Sequence, residues 1–294
     1  MDFNNFDYEK LIDVMSNLDS RYARVFSFGS SVQGRNLLCA ALGNGEKKIF
    51  LNGAHHALEW ITASLLANWC VDYIDAIKNG TQIGGADAQE LFEKVTYYIA
   101  PMINPDGVNL VINGLTPDNP NYMSVMEMLD SQDVSEVWQA NINGVDLNHN
   151  YDALFYEYVE IARDAGYDKP GPRRYPGTAP FDQPETQAVR NLVLSEEFPF
   201  TIAFHSQGEV IYWSFNGKGF IDDANALAEA SGYAIDSATG ISSYSGYKDW
   251  YLDKFNLPAF TVEVGLGQNP LPFDQFDEIK AACYPLIAKC ADLV

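Results

Sequence analysis

The sequence predicts an α/β fold in which helices pack on the faces of a central sheet. Short β-type runs alternate with segments of helical periodicity along the 294 residues, and this alternation is typical of that class. Hydrophobic residues make up 47% of the chain, which is enough apolar material for a large core and excludes overall disorder. No repeat, low-complexity tract or obvious linker divides the sequence, so we expect a single domain over residues 1–294.

Local patterns place the elements in chain order. Five apolar side chains at helical spacing predict a first helix: Tyr8, Leu11, Ile12, Met15 and Leu18. β-type runs predict strands at residues 22–28, 37–42, 48–52, 94–103, 200–204, 210–213 and 259–264. Further helices are expected at residues 59–77, 185–194, 221–230, 248–255 and 275–291. The stretch between residues 107 and 186 is rich in Asn, Asp, Gly and Pro, and we expect it to be a long loop covering a functional site.

The charge of the chain excludes two classes of partner. The sequence has 18 Lys and Arg against 40 Asp and Glu, so the formal net charge is −22. Binding to nucleic acid or to an anionic membrane surface requires a basic face, so we expect neither partner. No apolar run approaches the length of a membrane-spanning helix, and we therefore expect no membrane insertion.

The N-terminus and the cysteines bear on the cellular compartment. The first residues contain neither the basic nor the apolar segment of a signal peptide, which predicts a cytoplasmic protein. A leader missing from this sequence would instead allow secretion. Cys39, Cys70, Cys283 and Cys290 form no CxxC pair, so we expect reduced thiols in the core.

Two histidines and a glutamate are candidate metal ligands. His56 and Glu59 form an H-x-x-E pair directly after a predicted strand, and His205 ends another strand. Sites in α/β proteins gather beyond the carboxyl ends of strands, and two nitrogens with one carboxylate are typical of catalytic zinc. The residues alone leave alternatives open, since His56 could cap a turn and His205 could be a hydrogen-bonded core histidine. The neighbouring His55 is interpreted as a residue that supports the turn.

Five short motifs resemble the zinc carboxypeptidase family and occur in its order. They are residues 53–61 (GAHHALEWI), 104–107 (NPDG), 144–148 (GVDLN), 204–206 (FHS) and 261–265 (TVEVG). The sequence is most similar to one branch of that family, the γ-D-glutamyl-L-diamino acid endopeptidases of bacterial cell-wall metabolism. Three segments carry this closer resemblance: residues 205–209 (HSQGE), 246–250 (GYKDW) and 267–272 (GQNPLP).

The resemblance implies a fold, a metal and a catalytic base. It implies a mixed parallel and antiparallel sheet with helices on both faces, and one Zn²⁺ per chain held by His56, Glu59 and His205. Asp146 would orient His56, although a plain turn residue is an alternative. Glu263 would be the general base for peptide hydrolysis. Its apolar strand also allows a buried structural glutamate paired with a basic residue, and Glu209 is a weaker competitor for the role of base.

The sequence departs from the family where substrate is bound. Gln139 stands where the family has an arginine that polarises the scissile carbonyl, and it brings a hydrogen-bond donor without charge. Asn148 and His149 replace the Asn-Arg pair that grips a terminal carboxylate. The substrate tyrosine of the digestive branch falls near Ile241, where Tyr244 or Tyr247 could substitute. Arg173 and Arg174 are either solvated loop charges or a clamp for a substrate carboxylate.

The preferred interpretation is a zinc metallopeptidase that hydrolyses γ-D-glutamyl–diamino acid bonds in peptidoglycan-derived peptides or muropeptides. The expected substrate-binding residues are Asn148, His149, Arg174 and Tyr247, and the expected catalytic residues are Glu263 and Gln139. An ordinary metallocarboxypeptidase with a relocated carboxylate clamp is one alternative. A catalytically silent zinc- or ligand-binding relative is another, and the presence of Glu263 favours an enzyme over it.

Overall fold

An eight-stranded mixed sheet forms the centre of the protein, seen in a computed structural model that describes residues 1–238 and 243–294. In chain order the strands are β1 Ala23–Ser30, β2 Asn36–Leu42, β3 Lys47–Gly53, β4 Gln82–Ile83, β5 Ala86–Asp87, β6 Val95–Ala100, β7 Phe200–His205, β8 Val210–Tyr212, β9 Ser214–Phe215, β10 Lys218–Gly219, β11 Ala234–Asp236 and β12 Ala259–Glu263. The spatial order of the central sheet is β1-β2-β6-β3-β7-β12-β8-β11. β6, β3, β7 and β12 run parallel, whereas β1, β2 and β8 pair antiparallel with their inner neighbours.

Eleven helices connect these strands in the described part of the chain. They are α1 Tyr8–Asn17, α2 Trp60–Asn79, α3 Ala88–Lys94, α4 Pro105–Asn113, α5 Tyr122–Leu129, α6 Val134–Val137, α7 Phe155–Asp164, α8 Pro184–Glu196, α9 Ile221–Ser231, α10 Tyr247–Phe255 and α11 Phe276–Leu293. None of them combines the length and the apolar character that a membrane span requires.

The core lies on both faces of the sheet, as the α/β prediction requires. Ile49 and Leu51 of β3 point to the face covered by α2, α9 and α11, whereas Phe50 points to the face covered by α8 and α10. This alternation buries the whole strand between two helical layers. The four cysteines are buried and unpaired, in agreement with the expected core thiols.

Helix α2 is the most deeply enclosed of these helices. Most of its 20 residues are buried, including the polar Thr62, Ser64 and Asn68. The helix lies between the sheet and α11, and its N-terminus follows directly on Glu59. The carboxylate of a candidate ligand is therefore carried at the end of a rigid, buried element.

The expected long loop between residues 107 and 186 is wrong in detail, because it contains the helices α4 to α7 and a 3₁₀ turn at Leu147–His149. α4 begins where Asn104 Oδ1 accepts a hydrogen bond from the Gly107 amide at 3.0 Å and Pro105 occupies the first turn. An Asn cap followed by proline is a helix-start signal, so the sequence did contain it. α7 buries Phe155, Tyr158 and Ala162 along one face. In the sequence, the helical spacing of these apolar residues was obscured by the surrounding turn residues.

Candidate active site

The carboxyl ends of three neighbouring parallel strands build one edge of the sheet. His205 ends β7 and pairs in register with Glu263, which ends β12. Gly53 ends β3 beside Phe204, and His56 follows three residues later. Parallel strands bring their carboxyl ends to the same edge, so side chains distant in sequence converge there.

A short turn holds His56 and Glu59 in position. Ala54 has a positive φ of 49° and its amide donates to Thr62 Oγ1 at 2.8 Å. The Thr62 hydroxyl in turn donates to the Glu59 carbonyl at 2.8 Å. A 3₁₀ turn at Ala57–Glu59 then leads into α2. These contacts fix the backbone between the two candidate ligands. The neighbouring His55 is buried, and its Nε2 lies 2.8 Å from the Tyr151 hydroxyl.

The structure brings the three predicted metal ligands together. His56 Nδ1 lies 2.8 Å from Glu59 Oε1, and His205 Nδ1 lies 2.9 Å from Glu59 Oε2. One ligand atom from each of the three residues lies within 4.8 Å of the others. Two imidazole nitrogens, one carboxylate and an adjoining open cavity fit the donor set of a catalytic zinc ion.

Asp146 orients His56 from the other side of the imidazole. Asp146 Oδ1 lies 3.0 Å from His56 Nε2, and the Arg174 amide donates to Asp146 Oδ2 at 2.9 Å. Burial opposes ionisation of Asp146, but His56 and His149 outweigh it and hold the pKa of this carboxyl well below its usual range. Burial likewise opposes a charge on His56, yet Glu59 and Asp146 raise its pKa well above normal. An ionised carboxylate behind the imidazole is the arrangement typical of metal-binding histidines.

Glu263 faces the cavity beside this cluster. Its side chain is partly buried and lines the same cavity as His56 and Glu59. Burial and the negative charge of Glu59 raise the pKa of Glu263 well above the usual value of a glutamate. A divalent cation on the cluster would offset that negative charge and favour the ionised form of Glu263. The side chain is therefore placed to accept and return a proton.

The cavity in front of the cluster has a volume of about 540 Å³. Besides Glu263, four of the expected substrate or catalytic residues line it: Gln139, Asn148, His149 and Arg174. Asn148 Oδ1 accepts a hydrogen bond from the Tyr247 amide at 3.1 Å. His149 Nδ1 lies 2.8 Å from the Tyr244 carbonyl, and its ring stacks on Tyr158 with centroids 4.0 Å apart. Burial lowers the pKa of His149, so this histidine is a weak replacement for a cation.

The expected contact between Tyr247 and substrate does not agree with the structure. Tyr247 is fully buried, and its hydroxyl lies 2.8 Å from Thr201 Oγ1 beneath the sheet edge. The residue is absent from the cavity wall because the first turn of α10 points its ring into the aromatic core. Ile241, the position of the tyrosine in the digestive branch, lies outside the described residues.

The family comparison agrees with this geometry. The zinc carboxypeptidase family model, Peptidase_M14, matches residues 8–282. The chain belongs to the zinc carboxypeptidase family. It is thus a metallopeptidase by family, and the His56, Glu59 and His205 cluster supplies a set of residues that fits the zinc ion which the family implies.

Two relatives and one solved structure extend the comparison. The γ-D-glutamyl-L-diamino acid endopeptidase 1 of Lysinibacillus sphaericus is 38% identical over 281 residues, which is 94% of this chain and 69% of the relative. Carboxypeptidase B of Astacus astacus is 25% identical over 253 residues, which is 82% of this chain and 75% of the relative. The crystal structure of thrombin activatable fibrinolysis inhibitor superposes with a TM-score of 0.75 at 16% identity, over 98% of this chain and 76% of that chain. The last match shows that this chain has the zinc carboxypeptidase fold.

Some residues of this zinc carboxypeptidase site have no clear signal in the sequence. Asn269 donates to the Ser206 carbonyl at 2.7 Å and approaches Glu59 Oε1 at 3.4 Å, while the Ser206 amide donates to Glu59 Oε2 at 3.2 Å. The buried Lys248 forms an ion pair with Asp249 and lines the cavity. Both lie within segments that resemble the endopeptidase branch, but only the fold shows what they contact.

A buried carboxyl group supports the turn that carries Asp146. Glu185 Oε2 accepts from Asn141 Nδ2 at 3.2 Å, and Asn141 Oδ1 accepts from the Val145 amide at 3.1 Å. The Val32 amide donates to Glu185 Oε1 at 3.0 Å. Burial raises the pKa of Glu185 to about 7, with a further contribution from Asp106. The group therefore titrates well above an unfolded glutamate.

This raised pKa predicts a pH-dependent stability. Between about pH 4.5 and pH 7 the folded protein holds a proton that the unfolded chain has released, so stability should fall as pH rises through this window. Glutamine does not titrate, so the free energy of unfolding of Glu185→Gln should lack this fall. The difference between the variant and the native chain should therefore change in favour of the variant by up to about 3 kcal/mol between pH 4.5 and pH 8. Urea unfolding at both pH values measures this change. The exposed Glu127→Gln is the control, and an equal pH response in the Glu185 variant and the native chain would contradict the assignment.

Proposed function

We propose that this zinc carboxypeptidase family member hydrolyses γ-D-glutamyl–diamino acid bonds in peptidoglycan-derived peptides, with one Zn²⁺ per chain. The observation that carries the reaction class is the convergence of His56, Glu59 and His205 with Glu263 at one cavity. The choice of bond is supported by the 38% identity to the Lysinibacillus sphaericus endopeptidase over almost the whole chain.

Different residues of the cavity would carry out different steps of the hydrolysis. A zinc ion held by His56, Glu59 and His205 would supply Lewis-acid polarisation and lower the pKa of a water molecule. Glu263 takes the proton of the attacking water and later gives it to the departing amine. Gln139 lines the cavity, and its side-chain amide can donate a hydrogen bond to the carbonyl oxygen as negative charge develops there.

The charges of the cavity differ from those expected of an ordinary carboxypeptidase. Trimming of C-termini requires a cation that grips the terminal carboxylate, and such contacts are strongest when they are bidentate. At the two positions where the resemblance leads us to expect arginine, the chain has the neutral Gln139 and the buried His149. The cavity keeps positive charge elsewhere, on Arg173, Arg174 and Lys248.

Two activities distinguish the proposal from ordinary carboxypeptidase action. We expect L-Ala-γ-D-Glu-diaminopimelate to be cleaved with a kcat/KM at least about tenfold above that for blocked dipeptides ending in Phe, Leu or Lys, the size of effect that one charge-assisted contact gives. Mass spectrometry of the products identifies the broken bond. The isomer linked through the α-carboxyl of D-glutamate is the control for linkage. Faster trimming of the blocked dipeptides would instead identify an ordinary metallocarboxypeptidase that uses Arg173 or Arg174 as its clamp.

A further inference from the structure

The segment from Pro172 to Tyr175 is pinned to the active site by its backbone. The amides of Gln139 and Ala140 both donate to the Pro172 carbonyl, at 2.8 Å and 2.9 Å. Two residues later the Arg174 amide donates to Asp146 Oδ2, and the Tyr158 hydroxyl donates to the Arg174 carbonyl at 3.0 Å. The Asp146 amide also donates to the Tyr175 carbonyl at 2.7 Å. Arg173 is therefore held between two fixed neighbours, next to Gln139.

The three basic residues of the cavity wall differ in what they already bind. Lys248 is buried, pairs with Asp249 and donates to the Ser214 carbonyl at 2.8 Å. The Arg174 guanidinium lies over the Tyr167 ring at 5.4 Å and approaches the Tyr167 hydroxyl at 3.4 Å. The side chain of Arg173 is exposed, and no hydrogen bond or ion pair joins its guanidinium to another residue in the described ranges. In a chain of net charge −22, this guanidinium is a cation without a partner among the described residues, carried on a backbone whose neighbouring residues are hydrogen-bonded.

A γ-glutamyl bond places a negative charge near this cation. When glutamate is joined through its γ-carboxyl, its α-carboxylate stays free on the acyl side of the scissile bond. An ordinary α-linked peptide has no such carboxylate on its backbone. Gln139 is the proposed donor to the scissile carbonyl, and Arg173 follows the residue whose carbonyl accepts from the Gln139 amide. A substrate bound in this way would have its acyl part near Arg173.

We propose that Arg173 binds the free α-carboxylate of the γ-glutamyl residue and thereby selects γ-linked substrates. This inference rests on the proposed function and adds to it the residue that recognises the glutamyl side of the scissile bond. The planar guanidinium can form two parallel hydrogen bonds to a carboxylate, which an ammonium group cannot match. The sequence favoured Arg174 as the substrate clamp, but the Arg174 guanidinium already contacts Tyr167, which leaves the Arg173 guanidinium as the freer of the two.

The test compares two substrates with four forms of the full chain. One substrate is L-Ala-γ-D-Glu-diaminopimelate, and the other is the same tripeptide with the glutamyl α-carboxyl converted to an amide. We expect the native chain to prefer the free carboxylate by about 10- to 100-fold in kcat/KM, mostly through KM, and the preference should shrink at high salt. Arg173→Gln should lose that preference by weakening only the carboxylate substrate, and Arg173→Lys should keep part of it. Lys169→Gln removes an exposed positive charge four residues away and should change neither rate.

The outcomes separate this inference from the proposed function. If Arg173→Gln lowers kcat/KM equally for both substrates, the role of Arg173 is structural and the assignment is overturned. The assignment is also overturned if the native chain cleaves both substrates equally well. Cleavage of neither γ-linked tripeptide by the native, zinc-loaded chain would overturn the proposed function itself. Thermal unfolding and zinc content of each variant confirm that only substrate binding has changed.

Discussion

Replacing Glu263 with glutamine is expected to lower kcat by at least about a hundredfold and to leave zinc binding unchanged. Glutamine has nearly the same shape but cannot take a proton from water or return it to the leaving amine. Glu263 stands outside the His56, Glu59 and His205 cluster, so its loss should not release the metal. The register of β12 with β7 keeps the side chain in place.

Steady-state kinetics with parallel metal analysis check this expectation. Glu209→Gln is the matched control, because Glu209 lies close to His205 in sequence but does not line the cavity. It should retain activity. Survival of Glu263→Gln within about tenfold of the native rate would remove Glu263 from the role of base, since a positioned general base contributes about 10²- to 10⁴-fold.

The second large effect is on zinc binding, and we expect it when the imidazole of His56 or of His205 is removed. The native chain should carry close to one zinc ion, and His56→Ala or His205→Ala should weaken zinc binding by more than the roughly 10- to 100-fold that removal of an outer partner costs. Asp146→Ala, which removes such an outer partner, should fall within that range. Zinc should also raise the unfolding temperature of the native chain, because only the folded state assembles the site.

Chelator competition and elemental analysis measure these affinities. His149→Asn is the control, since His149 lines the cavity but is bonded to the Tyr244 carbonyl instead of the cluster. A native chain without bound metal, whose metal content is unaffected by His56→Ala, would show that the cluster is not a zinc site.

The sequence predicted those parts of the fold and site that depend on short-range pattern. α2 and α8 follow apolar periodicity, and His56 and Glu59 are three residues apart on one turn. The strand ends also predicted where His205 would lie beside this pair, whereas Glu263 was expected from the resemblance to the family.

The parts that the sequence did not reveal depend on distant contacts. Asn269 approaches Glu59 across 210 positions of the chain, and no local pattern encodes that pairing. Arg173 and Arg174 are adjacent, yet only the contact between the Arg174 guanidinium and Tyr167 shows which of the two side chains is already engaged. Tyr247 was wrongly expected at the substrate because spacing along the chain gives proximity to the site but not the direction in which a side chain points.

The enclosure of α2 has a consequence for how the metal site can open. Amide hydrogen exchange proceeds through local openings, and these are rarest in segments with many buried contacts. Because most of α2 is buried between the sheet and α11, the amides of its buried residues should be among the slowest of the chain to exchange. Glu59 directly precedes this helix and is itself buried, so we expect its backbone to stay in place when less protected segments open. A metal ion held by His56, Glu59 and His205 would therefore sit on a scaffold that stays folded, and the cavity would be its route to solvent.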